Sequence, residues 1–496
     1  MTGTRELSEV LRSGLEPYQK RNRLAQVAED MLPAPGTGPR VNRLLEEGVL
    51  CTLFEGNAPY RPRYLVPDYA RLMAQGSAFL NLTPPRDLFE AVGALLAAYR
   101  FTPSITGYPV FVGQLDDLLE PFWEGAGEAR ERLLELLLVQ IDRTLPDAFV
   151  HMNLGPRGTA VGRAVLAAER RLRHAVPNLS LKVDPDTPED FLLDAAATAL
   201  ETGKPYFVND PMIRAQGWDY AVASCYNTLP VGGGSHTLVR LNLARLAQGC
   251  PVPRTYLEER LPVAGAAMGE LIAARIRFLV EETGFFQSSF LAREGLISLD
   301  RFTAMAGVFG LYEAVAELTG GGRMGSDAQA DQLAEAIVFR ARDLVKAQAA
   351  PHCQGTGGRL GFHAQSGING DLDTTPGVRI RPGQEPALPA QLALAARLQA
   401  AFDTGVSEIV LFEPSARNSP EGVLRIVRAA LEQGVRILAV GSADSELVRI
   451  SGYLVKRADL DRVKARENLR EETVILGEET LRLSLAGSRA VRPALG

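Results

Sequence analysis

The chain has 496 residues, a formal net charge of −6 and 46% hydrophobic residues. Single cores stop growing at about 250–300 residues, so this length indicates one large α/β barrel or two to three domains. The acidic balance excludes a protein that coats nucleic acid, because phosphate binding needs a basic surface. The sequence shows no apolar run as long as a membrane span and no signal-peptide core, so we expect a cytoplasmic protein that does not bind membranes.

The cysteines are few and scattered. They are Cys51, Cys225, Cys250 and Cys353, and none belongs to a CxxC pair. This spacing excludes an obvious zinc finger or disulfide framework and fits a reducing cytosol. We therefore expect no metal site.

Helical periodicity dominates the N-terminal third. Residues 1–30 have the pattern of an amphipathic helix, which ends at a stretch rich in proline and glycine, 32–40. The same periodicity returns at 129–144 and 158–174. We predict helices in these three segments.

Strands and helices alternate in the next segment. Residues 178–184 predict a strand, and 205–208 predict another. Between them, Thr187 can cap a helix, Pro188 fits its first position and Gly203 fits the position just past its end. This alternation is typical of α/β architecture.

The following part of the chain is mainly helical. Helices are predicted at 257–283, 299–318 and 326–349. Residues 351–391 are then rich in glycine, proline and polar side chains. A stretch that long without periodicity is usually functional or disordered, and its histidine and aromatic content favours a functional segment.

The C-terminal part contains a β-α-β pattern and an unusual glycine. Strands at 407–412 and 435–440 flank a helix at 420–433, which indicates a parallel, buried sheet. Residues 447–457 have the pattern of a short strand interrupted by Gly452. Glycine inside a strand marks a bulge or a close approach of another group to the backbone.

Cys225 follows an apolar, strand-like stretch and precedes a glycine-rich turn. Most free cysteines are buried and serve as small apolar side chains. A thiolate nucleophile would need a nearby base, and nothing in the sequence shows that His236 folds back onto Cys225. The local pattern therefore leaves both interpretations open.

Gly452 and Cys225 together resemble the pair of radical residues in a known family. The pentapeptide RISGY at 449–453 matches the Arg-Val/Ile-x-Gly-Phe/Tyr pattern of glycyl radical enzymes, and a cysteine lies far upstream as that family requires. The stretches GKPYFVND at 203–210, LPDAFVHMNLGP at 145–156 and CYNTLPVGGGSHTLVRLNL at 225–243 resemble the YjjI-type enzymes of this family. The resemblance covers most of the chain.

The resemblance implies a fold and a partner. The fold is a ten-stranded α/β barrel surrounded by helices, and the protein is a homodimer. We divide the chain into an N-terminal helical segment with a linker (1–40), a barrel body that carries the cysteine loop (41–440) and a glycyl radical loop with a C-terminal tail (441–496). A separate radical S-adenosylmethionine activase would install the radical, and we expect no bound metal or organic cofactor.

The resemblance also implies a radical mechanism. Glycine lacks a β carbon, so a radical at its Cα can flatten and share spin with the adjacent amide groups. Gly452 would carry that radical within a loop formed by Arg449, Ile450, Ser451 and Tyr453, and Cys225 would pass a hydrogen atom to it. The resulting thiyl radical would attack a small polar substrate in a closed cavity that excludes water.

The reaction remains open between several classes. Formate-lyase-type relatives carry two adjacent cysteines, whereas Ser224 and Tyr226 flank Cys225. Many dehydratases place a general-base glutamate where this chain has Asn227, which cannot act as a base. We expect cleavage or elimination in a small metabolite. The alternatives are an anaerobic ribonucleotide reductase-like enzyme, disfavoured by the missing four-cysteine zinc site, or a catalytically silent relative that binds metabolites.

The polar residues that could bind substrate lie in several segments. Asn209 and Asp210 could line the cavity or cap a turn, His236 could be a base or a structural histidine, and Glu413 follows a predicted parallel strand, where functional groups often lie. The remaining candidates are Asn227 and four residues of the glycine-rich segment: His363, Gln365, Asn369 and Asp371.

Overall fold

The structure is a computed structural model. It describes residues 2–32, 36–52, 55–250, 252–364, 374–450, 452–465, 467–471 and 489–493. Strands and helices alternate through much of this part of the chain. The predicted α/β class is confirmed.

The strands are short, and several are buried at every position. In chain order they are β1 (Leu50–Cys51), β2 (Tyr64–Val66), β3 (His151–Leu154), β4 (Asn178–Val183), β5 (Tyr206–Asn209), β6 (Tyr220–Ala223), β7 (Asn227–Pro230), β8 (Gly233–Asn242), β9 (Phe302–Phe309), β10 (Gly361–Ala364), β11 (Glu408–Phe412), β12 (Ile437–Ser442), β13 (Leu447–Arg449), β14 (Leu454–Lys456) and β15 (Val491–Arg492).

These strands form two principal sheets and two hairpins. The first sheet has the order β1-β8-β9-β10, with β2 also paired to β8, and the second has the order β15-β11-β12-β5-β4-β3. In the second sheet all neighbours are parallel except β12 and β5, which are antiparallel. The hairpins are β6-β7 and β13-β14. Closure into a ten-stranded barrel, and the division at residues 40 and 440, stay predictions.

Helices surround the sheets. In the first half they are Thr2–Arg12, Pro17–Met31, Pro39–Glu46, Tyr69–Gln75, Leu88–Arg100, Leu115–Trp123, Arg130–Thr144, Ala160–Leu172, Glu189–Thr202 and Asp210–Arg214. In the second half they are Leu243–Ala247, Pro253–Thr255, Leu261–Arg277, Phe285–Ser288, Phe290–Arg293, Leu311–Thr319, Ala328–Lys346, Leu388–Gln399, Pro420–Glu432 and Arg457–Lys464. Helical turns of other types occur at Glu124–Ala129, Tyr256–Arg260, Phe278–Glu282, Leu299–Arg301, Gln354–Thr356 and Pro414–Asn418. In the described part of the chain, no helix combines the length and apolar character needed to cross a lipid bilayer.

Most of the predicted elements are present. The helix after β4 spans Glu189–Thr202, and Gly203 follows it with a left-handed backbone, φ 73°. The β-α-β unit is confirmed, since β11 and β12 are parallel and the helix Pro420–Glu432 joins them. The single N-terminal helix is instead two helices, because Pro17 begins a new one.

The helix predicted at 299–318 is wrong in its first half. Residues Phe302–Phe309 form β9, and only Leu311–Thr319 is helical. The strand β9 lies between two parallel neighbours, β8 and β10, and every position on it is buried. A strand buried on both faces loses the polar alternation that distinguishes strands in a sequence, which explains the error.

Candidate active site

The hairpin β6-β7 carries Cys225 at its tip. The last pair of the ladder joins Ala223 and Asn227, so residues 224–226 form the turn. Ser224 takes up a left-handed backbone, φ 58°, which is uncommon for a residue other than glycine. Its amide donates to the carbonyl of Val110 over 2.9 Å. This turn buries Cys225, of which 6% is exposed.

Side chains of β3 and β4 hold strand β6 in place. They donate to carbonyls of alternate residues along β6 and into the turn. Lys182 donates to Tyr220 over 2.9 Å, Asn153 to Val222 over 2.8 Å, and His151 to Ser224, the first residue of the turn, over 2.6 Å. The side-chain oxygen of Asn153 also accepts the amide of Val222. Backbone groups on one edge of β6 are thus satisfied by side chains instead of by another strand, which positions the tip precisely.

His151 is a neutral support for the cysteine turn. Its Nδ1–H donates to the Ser224 carbonyl, and its Nε2 accepts from the Ser180 hydroxyl over 2.8 Å. Burial lowers the pKa of His151 to about 3. The imidazole therefore stays uncharged at neutral pH and both of its nitrogens are occupied.

The second hairpin, β13-β14, places Gly452 at its tip. Arg449 pairs with Leu454 at the end of the ladder, and the amide of Ile450 donates to the carbonyl of Tyr453 over 3.0 Å. Ser451 lies outside the described residues. The segment that the sequence predicts as one interrupted strand is therefore two strands, and its glycine lies in the turn between them.

The tips of the two hairpins touch. A β carbon added to Gly452 would lie 2.0 Å from Cβ and 2.8 Å from Sγ of Cys225. Carbon atoms in normal contact are about 3.5–4.0 Å apart, so no larger residue fits without displacing the cysteine. The backbone of Gly452 is not in the left-handed region. Close packing against Cys225 is therefore what requires glycine here.

Tyr206 and Arg449 hold the glycine tip. The Tyr206 hydroxyl donates to the carbonyl of Gly452 over 2.5 Å. The guanidinium of Arg449 donates to the Tyr206 oxygen and to the carbonyl of Gly203, and its Cζ lies 4.1 Å from the Tyr206 ring centre. Burial lowers the pKa of Arg449 and raises that of Tyr206, so the phenol stays protonated and remains a donor.

Three buried phenols surround Cys225. They belong to Tyr64, Tyr206 and Tyr453, and burial raises the pKa of each, with a further increase from the nearby Cys225. The Tyr453 ring packs edge-on against Phe149 at 5.1 Å. The contact between the two hairpins is therefore buried next to phenol groups that stay protonated at neutral pH.

Two of the predicted substrate residues lie near the cysteine tip. The His363 ring stacks on Tyr226 with ring centres 5.8 Å apart. His363, Tyr226 and Asn227 all lie close to Gly405. A β carbon added to Gly405 would lie 2.7 Å from the Tyr226 carbonyl oxygen, 3.0 Å from Nδ1 of His363 and 3.1 Å from Cα of Asn227. The structure therefore brings Asn227 and His363 together beside Tyr226.

Asn209 and Asp210 make contacts typical of structural residues. Asn209 caps the helix Asp210–Arg214 and donates to the carbonyl of Leu431 over 2.9 Å. Asp210 accepts from the Tyr220 hydroxyl over 2.7 Å and from Arg214. These bonds lie at the base of the cysteine hairpin, away from its tip.

His236 and Glu413 also lie on other parts of the fold. The Nε2–H of His236 donates to the carbonyl of His352 over 2.7 Å, and the ring stacks on Phe302 at 4.9 Å. Burial lowers the pKa of His236 to about 4, which suits a structural histidine. Glu413 follows β11, is half-buried and accepts from the hydroxyl of Ser415.

Part of the predicted site cannot be placed. Gln365, Asn369 and Asp371 lie outside the described residues, as does Ser451. Within the described part, no group of three His, Cys, Asp or Glu side chains is arranged to hold a metal ion.

Sequence reasoning missed the side chains that hold the two tips. Tyr206 and His151 both lie in stretches that carry the family resemblance, 203–210 and 145–156, so their location was a usable signal. The roles of individual side chains in those stretches depend on which strands become neighbours. Only the fold supplies that information.

Comparison with known proteins agrees with this geometry. The model of the "Glycyl radical enzyme YjjI-like" family matches residues 15–492. The chain is 39% identical to the YjjI protein of Escherichia coli K12 over 477 residues, which is 94% of this chain and 92% of that protein.

The chain belongs to the YjjI-like family of glycyl radical enzymes.

Solved structures share the fold of this YjjI-like protein at low identity. Hydroxyproline dehydratase from Clostridioides difficile, with trans-4-hydroxy-L-proline bound, has a TM-score of 0.69 at 12% identity, covering 99% of this chain and 88% of its own. The anaerobic ribonucleotide reductase from Thermotoga maritima, in complex with dATP and CTP, has a TM-score of 0.66 at 11% identity, covering 92% and 93%. The fold is therefore that of glycyl radical enzymes.

Proposed function

We propose that this YjjI-like protein stores a radical on Gly452 and uses Cys225 to transfer it to a small polar metabolite. The observation that carries the proposal is the contact between the two tips, where a β carbon on Gly452 would lie 2.8 Å from Sγ of Cys225. The added β carbon replaces one hydrogen on Cα, so a Cα–H bond of Gly452 points toward the Cys225 side chain. Hydrogen-atom transfer requires such an approach, with reacting atoms roughly 3–3.5 Å apart.

The proposed transfer proceeds in two balanced steps. The Cα radical of Gly452 takes a hydrogen atom from the Cys225 thiol, which restores the Cα–H bond and leaves a thiyl radical. That sulfur then takes a hydrogen atom from a substrate C–H bond, which restores the thiol and leaves a substrate carbon radical. Thiol S–H and glycyl Cα–H bonds are similar in strength, so neither direction of the first step is strongly uphill.

The surroundings of the two tips suit such chemistry. Tyr206 and Tyr453 are fully buried, and Cys225 is 6% exposed, so the radical would be shielded from water and oxidants. His151 is neutral and both of its nitrogens are occupied, so it does not act as a base toward Cys225, which fits a cysteine that carries a hydrogen atom.

The proposal requires a partner that generates the radical. Gly452 is buried, so a separate radical S-adenosylmethionine activase, which we infer from the family, would need the hairpin β13-β14 to leave its position beside Cys225. We also propose the homodimer that the family implies. Both are tested by purification with the activase and by measuring the mass of the particle in solution.

The proposed reaction is a cleavage or elimination in a small polar metabolite, as in the dehydratase neighbour. We do not propose ribonucleotide reduction, despite the similarity in fold. All four cysteines are described, and no group of metal-binding side chains that includes them occurs in the described part of the chain.

Deuterium exchange at Gly452 tests the radical pair without knowledge of the substrate. Activated protein in D2O should lose the hydrogen coupling in its glycyl radical spectrum, because Cys225 exchanges its S–H with solvent and returns deuterium to Gly452. Cys225→Ser should keep the coupling, whereas Cys353→Ser, a change at another buried cysteine, should lose it as the wild type does. Unchanged exchange in Cys225→Ser would contradict the proposed transfer.

A further inference from the structure

A cavity lies at the base of the cysteine hairpin, β6-β7. Its volume is about 410 Å³, and Lys182 and Tyr220 are part of its lining. A strand rises about 3.3 Å per residue, so Tyr220, the first residue of β6, lies about 10 Å from Ala223, the last. Cys225 follows in the turn beyond Ala223, and neither Cys225 nor Gly452 lines the cavity. The cavity is therefore separate from the site at the two tips.

Lys182 is a buried cation of this lining, and only 6% of it is exposed. Its Nζ donates to the carbonyl of Tyr220 over 2.9 Å and lies 4.4 Å from the ring centre of that tyrosine. An ammonium group has three N–H donors, and this carbonyl is its one hydrogen-bond acceptor among the described residues. Two donors of Lys182 therefore remain for a ligand.

The other lysine buried in the described part of the chain shows the usual arrangement. Lys204 forms an ion pair with Glu169 over 2.8 Å, and both side chains are fully buried. Lysine is almost never buried without such a partner, because an unpaired charge is costly to remove from water. Lys182 has no ion pair with any described carboxylate, and it borders a cavity instead.

The acids near Lys182 do not compensate for its burial. Asp210 forms an ion pair with Arg214 over 2.5 Å, and the buried Asp116 accepts a backbone amide over 2.8 Å. Asp117 is exposed. Burial lowers the pKa of Lys182 to about 8, although all three acids raise it. The amine is therefore mostly protonated at neutral pH, and its charge is stabilised incompletely.

The other charged residues of the lining differ from Lys182 in being open to solvent. These exposed or half-buried residues carry both signs: Arg214, Arg301, Asp68, Asp117 and Asp219. The buried lining joins Lys182 to apolar side chains such as Phe111 and Leu118. Because water and salt screen exposed charges, the buried ammonium determines which group the inner part of the cavity accepts.

We propose that this cavity binds a small molecule with a carboxylate or phosphate group, and that Lys182 holds that group. An oxyanion supplies acceptors for the unused N–H donors together with the opposite charge, and the apolar side chains would contact the rest of the molecule. Lys182 and Asn153 both line the cavity and both hold strand β6, so the ligand would contact the side chains that position Cys225. The inference does not depend on the proposed radical transfer.

Competitive labelling of amines in the full-length, unactivated protein tests the proposal. Acetic anhydride acetylates lysines, and mass spectrometry of the digested protein gives the rate at each one. Inorganic phosphate and malonate serve as separate probes at constant ionic strength, with glycerol as the uncharged control. At least one anion should slow the labelling of Lys182 at least about threefold in a saturable way, while the exposed Lys464 is unaffected. The anion that protects at the lower concentration identifies the bound group as phosphate or carboxylate. No protection by either anion, or equal protection by glycerol, would overturn the inference.

Calorimetric titration with the protecting anion attributes the binding to Lys182. Lys182→Met keeps the length of the side chain and removes its charge, so the affinity should fall at least about tenfold, whereas Lys182→Arg should lose less. Lys464→Met, at an exposed lysine, should bind as the wild type does. An unchanged affinity in a folded Lys182→Met variant would refute the assignment. The labelling of the wild type decides the question if that variant does not fold.

Discussion

The hydroxyl of Tyr206 donates a hydrogen bond to the carbonyl oxygen of Gly452 over 2.5 Å. Spin on a glycyl radical is shared with this carbonyl, so the hydrogen bond acts on the group over which the radical would spread. Arg449 stacks on Tyr206 and donates to its oxygen, which fixes the phenol as a donor toward Gly452.

We therefore predict that Tyr206→Phe shortens the lifetime of the radical. The variant removes one donor from the Gly452 carbonyl, a loss of about 1 kcal/mol for a typical hydrogen bond. It also removes one of the two acceptors of Arg449 and leaves the Gly203 carbonyl as the other. Electron paramagnetic resonance under anaerobic conditions should show faster decay and a larger coupling to the remaining Cα hydrogen. Tyr220→Phe is the matched control, because that buried phenol donates to Asp210 instead. Identical spectra and lifetimes in Tyr206→Phe and the wild type would remove Tyr206 from this role.

Gly452→Ala should destabilise the unactivated protein through a steric clash. The new methyl group would lie 2.0 Å from Cβ of Cys225, and overpacking of this kind costs about 1–3 kcal/mol. The free energy of unfolding in urea measures the effect. In a Cys225→Gly background the same substitution should cost less, because Cβ and Sγ of the cysteine are gone.

Gly93→Ala provides the control for that experiment. Gly93 lies in the helix Leu88–Arg100, and an added β carbon meets no atom within 4 Å. Alanine there should be neutral or stabilising by up to about 1 kcal/mol. An equal cost of Gly452→Ala in both backgrounds would show that contact with Cys225 is not the reason for glycine.

Air should cut the activated chain at Gly452. A carbon-centred radical in the backbone reacts with dioxygen, and the resulting peroxyl species breaks the main chain at that residue. Mass spectrometry should detect a large fragment that ends near Ser451 and a short tail that begins near Tyr453, with loss of the radical signal in parallel. Unactivated protein should remain intact, and so should Gly452→Ala after treatment with the activase. A cut at another residue would place the radical elsewhere.

Acid should lower the free energy of unfolding through His151, the residue that supports the cysteine turn. The folded-state pKa of His151 is about 3, below the unfolded value of about 6.5. The unfolded chain therefore binds more protons between these values, and the free energy of unfolding falls by up to about 1.4 kcal/mol per pH unit as pH decreases through this window.

The measurement compares variants, because other groups titrate in the same range. Burial raises the pKa of Asp116 to about 6 and of Glu471 to about 7, and both effects favour the folded state as pH falls. His151→Gln should reduce the loss of stability between pH 6.5 and pH 4.5, whereas His352→Gln, at a partly exposed histidine, serves as the control. A parallel pH profile in the His151 variant would show that its titration does not contribute.

The sequence alone was sufficient for the family, and it singled out Cys225 and Gly452, whose roles as a radical pair stay predictions. Both conclusions rest on local patterns: RISGY is read directly from the chain, and a radical on the main chain requires glycine for reasons of bonding. Breakers likewise predicted the end of the helix before Gly203 and the β-α-β unit near the C-terminus, because these signals act within a few residues. The predicted cap was wrong: Pro188 occupies the N-cap position, and the Thr187 hydroxyl bonds with Asp184 instead.

Only the tertiary structure decided which groups meet. The contact of Cys225 with Gly452 and the bond from Tyr206 to the Gly452 carbonyl both join segments that are distant in sequence. The sequence also did not identify strand β9. Because β9 is buried on both faces, it lacks the alternation of polar and apolar residues that distinguishes a strand. Periodicity and capping report the local conformation of a segment, whereas a site depends on which segments pack together, and that is decided by the burial of the whole chain.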